Sequence, residues 1–241
     1  LHRGEIPPSA TDGREAILAR IRAANAAAGV PASTADAADR ELRSLDLDYN
    51  RTGRLSLCER TDLFCQRLIE YDAHVELVPP ADVSATVAHL LQARGATRLV
   101  RPARFPAAWA PAGIRWIDAD TADFAALDSS DGVITAATVA IAATGTLVLQ
   151  HGPGQGRRAV TLLPDYLLCI VEAAQIVETV PEAFDRLDPV RPTTFISGPS
   201  ATADIEMTRI KGVHGPRFLD VIVVNPPDVA GTDVTLPARS L

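Results

Sequence analysis

The sequence predicts an α/β protein: a mostly parallel sheet flanked by helices, with a helical arm at its N-terminus. Three observations carry this. Short β-rich runs such as HVELV at 74–78, RLVR at 98–101 and IRWID at 114–118 alternate with longer helical stretches, the pattern of a parallel sheet built from crossover units. Residues 132–150 (GVITAATVAIAATGTLVLQ) carry no charge, yet their threonines, glycines and alanines make a poor hydrocarbon span and their β-branched ends favour buried sheet. Hydrophobic residues at 47% and charged residues at 22% of 241 positions supply a core without help from a metal or disulfide.

Taken in order, residues 12–28 form an amphipathic helix on which Ile17, Leu18 and Ile21 make a short apolar stripe. Residues 31–53 show no sustained period and are expected to be a linker, so the first helix is an arm able to dock elsewhere, a second subunit included. A helix over 57–73 leads to the strand at 74–78. Next come a helix over 81–96, the strand at 98–101, a short helix over 105–113, the strand at 114–118 and a connection over 121–131 that returns the chain to the uncharged segment. In the second half, TGTLVLQ and RRAVTLL flank HGPGQG and are expected to pair as a hairpin. LLCIV is a strand, residues 172–187 a helix with a break at Pro181, and TTFIS and RFLDVIVV are the last strands. The expected organisation is an N-terminal helix and linker over 1–54, the α/β domain over 55–225 and a Pro-rich tail over 226–241.

Composition excludes several classes. A net charge of −7 argues against a nucleic-acid or anionic-membrane footprint. Three cysteines without CxxC spacing are too few for a disulfide framework, a four-thiolate zinc site or an iron–sulfur cluster. The histidines lack HExxH spacing, and no GxGxxG or Walker signature follows a strand. No metal and no cofactor are therefore expected in this chain. The odd cysteine count and the lack of a visible signal segment point to the cytoplasm, although the sequence opens on Leu1 rather than methionine.

Four segments can carry chemistry. In residues 151–158 (HGPGQGRR), Gly152, Gly154 and Gly156 permit a nest of amides for an anion, and Arg157 and Arg158 offer guanidinium forks; the other reading is a plain hairpin tip. In residues 195–206 (FISGPSATADIE), a strand ends at Ser197, Gly198 turns the chain, and Ser200 is placed to cap a helix starting near Ala201, with Thr202 in its first turn. Asp204 and Glu206 on that helix would diverge, which argues against a shared-proton pair. His214, in the glycine-bearing turn at 212–216, is a candidate base or anion contact. The fourth is Thr144-Gly145-Thr146, where a glycine between two hydroxyls suggests close backbone approach. Glu206, Asp204 and His214 are the catalytic candidates.

The order TGT, GQGRR, LLP, ISGPSATADIE and GVHGP resembles the LUD domain of the lactate-utilization protein C (LutC/YkgG) family, over roughly residues 55–225. The resemblance implies a NagB/RpiA/CoA-transferase-like fold. It also implies a cytoplasmic subunit of a system that oxidises L-lactate to pyruvate, with iron–sulfur clusters carried by partner proteins and a small anion bound here. Many relatives carry an acid before TGT where this chain has Ala143, and an arginine where it has Ala201, which leaves Arg157 and Arg158 as the main cations. The alternative is a stand-alone sugar-phosphate or acyl-CoA enzyme of the same fold group, with Glu206 or Asp204 as base or nucleophile.

Overall fold

The computed structural model describes residues 10–29, 35–45, 48–152, 154–203, 209–211 and 215–225. The chain divides into two compact units, Leu1–Tyr49 and Asn50–Leu241. The first holds helices α1 (Ala10–Ala27) and α2 (Ala35–Ser44). The second helix falls where a linker was expected: its alanines, Arg40, Glu41, Leu42 and Arg43 are good helix formers.

The second unit opens on α3 (Leu57–Glu70). Ser56 caps it: the Ser56 Oγ accepts from the Glu59 amide at 3.3 Å, and the Ser56 amide donates to Glu59 Oε2 at 2.8 Å. The segment leading into α3 is held by two carboxylates, Glu178 accepting from the Leu55 amide at 2.7 Å and Glu182 from the Gly53 amide at 3.0 Å. There follow β1 (His74–Val78), α4 (Val83–Ala93), β2 (Arg98–Arg101), β3 (Arg115–Asp118), α5 (Phe124–Asp128), β4 (Gly132–Ala136), β5 (Val139–Ile141), β6 (Thr146–Gln150), β7 (Tyr166–Glu172), β8 (Ile176–Val177), α6 (Val180–Phe184), β9 (Thr193–Ile196), β10 (Ala201–Ala203), β11 (Arg209–Lys211) and β12 (Phe218–Val224).

Six strands make the main sheet, in the order β1-β12-β7-β4-β2-β3, and every pairing in it is parallel. The central strands are apolar on both faces because helices or a second sheet cover both. Along β7, Leu167, Cys169 and Val171 pack with Phe64 and Leu68 of α3, whereas Leu168 and Ile170 pack with Val87, Leu90 and Leu91 of α4. Alternation along one strand thus divides the core into two halves. Phe64 and Leu68 are fully buried, a burial that stabilises by about 1.5–3 kcal/mol for each side chain. A second sheet, ordered β8-β5-β6-β9, lies against the α3 half and is antiparallel except for β5–β8.

Several expected elements take another form. Residues 158–161 make a short 3-10 turn rather than a hairpin strand, since both edges of β6 are already paired, with β5 and β9. The helix expected over 172–187 is divided: β-branched Ile176 and Val177 pair with β5, and Pro181 enters the first turn of α6 instead of breaking a longer helix. The short helix expected over 105–113 is reduced to a turn at Ala107–Trp109. No helix starts at Ala201, because residues 201–203 form β10 and pair antiparallel with β11. The tail over 226–241 lies outside the described residues.

Candidate functional site

The site begins where β5 turns into β6. Gly145 adopts φ +58°, and a Cβ there would lie 2.7 Å from the Arg67 Cβ, so the Thr144-Gly145-Thr146 turn rests directly on α3. Gly198, after β9, repeats this device with φ +88° and a would-be Cβ 2.6 Å from the Tyr71 Cβ. Both glycines are demanded by conformation and by contact. Antiparallel pairing of β6 with β9 sets Leu147 opposite Ile196, which brings Thr146 beside Ser197. A row of hydroxyls results: Thr144 Oγ1 to Thr146 Oγ1 at 2.6 Å, and Thr146 Oγ1 to Ser197 Oγ at 2.7 Å. The structure therefore joins two segments that the sequence offered separately.

Ser197, Gly198 and Ser200 border a cavity of about 340 Å3, together with Pro216, Thr161 and Leu162. The Ser200 amide donates to the Pro216 carbonyl at 2.8 Å, which ties the turn after β9 to the approach to β12. Leu167 and Leu219, near the starts of β7 and β12, lie behind them. The cavity is thus at the N-terminal ends of these parallel strands, not at the carboxyl ends where ligands of α/β sheets usually gather.

Sequence reasoning missed a further pair. At the end of β6, the His151 amide donates to the Pro192 carbonyl at 2.9 Å, and its Nε2 lies 2.6 Å from the Oγ1 of cavity-lining Thr194. His151 is 7% exposed. Burial holds its pKa below the ordinary histidine value, and the charges of Arg158 and Arg191 act in the same direction, against the Gly156 carbonyl, which favours the proton. Arg191 is bound to this corner: its Nη2 donates to the carbonyls of Gln150 at 2.9 Å and His151 at 3.2 Å. The available signal was a polar pair, Gln150-His151, closing an otherwise apolar strand.

The loop glycines Gly152, Gly154 and Gly156 do not line the cavity. Gly154 approaches Arg104 and Gly156 approaches Ala119, close to the carboxyl ends of β2 and β3. Its backbone closes on itself, with the amides of Gly152 and Gly156 each donating to the other's carbonyl and the Gln155 amide donating to Gly152. The amides of Gly152, Gln155 and Gly156 are therefore engaged within the loop. Arg157 donates to the Ala122 carbonyl and lies 5.4 Å from the Phe124 ring centroid, a structural position. Arg158 is exposed, and its carbonyl accepts from Thr161 Oγ1 at 3.3 Å. Asp204, Glu206 and His214 lie outside the described residues, as does the side chain of Thr202. The helix that was to carry Asp204 and Glu206 does not start at Ala201, so the expected dipole at Ser200 is withdrawn.

Among the described residues, no group of three or more His, Cys, Asp or Glu could hold a metal ion, and no helix is long and apolar enough to cross a membrane.

Comparison with known proteins follows the same outline. The LUD domain family model matches residues 86–224. The chain is 42% identical over 175 residues to the lactate utilization protein C of Deinococcus radiodurans, a stretch covering 70% of this chain and 82% of that protein. It is 38% identical over 105 residues to the lactate utilization protein C of Halalkalibacterium halodurans, there covering 40% of this chain and 45% of the relative. A crystal structure of a DUF162 family protein from Deinococcus radiodurans superposes with a TM-score of 0.62 at 36% identity, covering 71% of this chain and 99% of that one.

Proposed function

Because the chain belongs to the LUD domain family, we propose that it is a cytoplasmic subunit of an L-lactate utilization system, working with iron–sulfur proteins and holding a small anion. The identity to the Deinococcus lactate utilization protein C, over most of both chains, carries this reading.

Chemistry supplies the division of labour. Oxidising lactate to pyruvate removes two electrons and two protons, and ordinary side chains offer no hydride acceptor. The electrons therefore pass to a centre on a partner. What this chain can give is recognition: a guanidinium for the carboxylate, in Arg158. Arg157, already bound to Ala122 and set against Phe124, is the less available of the two loop arginines.

The test is reconstitution. The purified chain should be colourless, free of iron and unable to reduce a tetrazolium dye with L-lactate, and turnover should need both it and the iron–sulfur proteins. Lactate-dependent turnover by the chain alone, or full turnover by the partners without it, would refute the proposal.

A further inference from the structure

The cavity beside the 197–201 turn asks for a ligand unlike lactate. About 340 Å3 lies within the range of pockets that enclose drug-sized molecules rather than a three-carbon acid. Leu162, Leu167, Ile196 and Leu219 form its apolar wall. Among the described residues its polar wall is uncharged, made by Thr161, Thr194, Ser197 and Ser200. An anion enclosed there would find no cation among the described residues of that wall, and burying an unpaired charge is costly.

His151 gives this wall a direction. Burial favours the neutral ring, in which one nitrogen carries a proton and the other a lone pair. Nδ1 is buried with no partner in hydrogen-bond geometry, and the Gly156 backbone favours a proton on the ring, which places the proton on Nδ1. Nε2 then accepts the Thr194 hydroxyl proton at 2.6 Å. With its one donor engaged, Thr194 Oγ1 can only accept from a ligand.

We propose that the cavity binds an uncharged alcohol or phenol with an apolar body, its O–H donating to Thr194 Oγ1, which His151 holds in that orientation. This goes beyond the lactate reading, since it names a second ligand class, in a cavity that the glycine-loop arginines do not line.

The experiment titrates the full chain with 4-propylphenol, its methyl ether 4-propylanisole and L-lactate, followed by protein-observed NMR. The phenol should bind, with shifts at the cavity, about three- to tenfold more tightly than the ether, the effect of one hydrogen bond. Thr194→Val and His151→Gln should lower phenol affinity to that of the ether, and Leu162→Trp should weaken both by filling the apolar wall. Equal affinity for phenol and ether, absence of binding by either, or displacement of the phenol by L-lactate would overturn the proposal. If Thr194→Val fails to fold, the phenol–ether comparison in the parent and the Leu162→Trp variant decide the matter.

Discussion

Replacing Arg94 by methionine should be among the most damaging single changes outside the core, and the geometry sets the scale. Asp220 sits inside β12 with no exposed surface. Its carboxylate accepts from Arg94 Nε at 2.8 Å, from Arg94 Nη2, and from the Tyr166 hydroxyl at 2.8 Å. The Arg94 guanidinium lies 4.9 Å from the Tyr166 ring centroid and 4.9 Å from that of Phe218. Burial, with Asp220 alongside, pushes the Tyr166 hydroxyl pKa well above its ordinary range, so it stays a donor. Arg94→Met keeps the side chain's length but leaves a buried carboxylate with one neutral partner. Breaking such a pair from one side costs about 3–5 kcal/mol, and for a domain of this size that lowers the melting temperature by roughly 6–20 °C. Converting all three residues, as Arg94→Met, Tyr166→Phe and Asp220→Leu together, removes the stranded charge and should recover most of the loss. Urea unfolding followed by tryptophan fluorescence measures both. A single-variant loss below about 1 kcal/mol, within the range of an exposed ion pair, would show that the carboxylate is solvated and refute the reasoning.

Two other perturbations have defined outcomes. Gly198→Ala places a methyl 2.6 Å from the Tyr71 Cβ and 2.9 Å from its carbonyl, at φ +88°, and should cost about 1–3 kcal/mol in a thermal melt; an unchanged melting temperature would mean that the turn is not pressed on α3. For His151, the unfolded imidazole takes up a proton near pH 6.5 while the folded one resists, chiefly because it is buried. Protons therefore favour the unfolded chain, and stability should be fully present above about pH 6.5 and decline as pH falls toward the lower folded value. The urea midpoint of His151→Gln should lack this component of the acid loss, and an identical pH profile for parent and variant would contradict the assignment.

Much of the fold was legible because local and global signals agree. HVELV became β1 and RLVR became β2 without a shift of boundary, each a short run with β-branched or leucine residues at its centre. Reading failed where tertiary pairing decided the outcome. Val160 and Thr161 have strand-forming side chains, but β6 had no open edge to offer them. Ile176 and Val177 lay inside a helical-looking stretch, and their burial beside β5 won. The site divides in the same way. Thr144, Thr146 and Ser197 could be proposed from TGT and ISG because glycine marks tight contact in both. His151 and Thr194 could not: they are 43 residues apart and meet only through the register of β6 with β9.

The central claim is a role in lactate use, and growth tests it most directly. In a strain from which other L-lactate oxidases have been removed, deleting this gene should abolish growth on L-lactate, leave growth on pyruvate unchanged, and be reversed by a plasmid copy. Undiminished growth on L-lactate after the deletion would contradict the account.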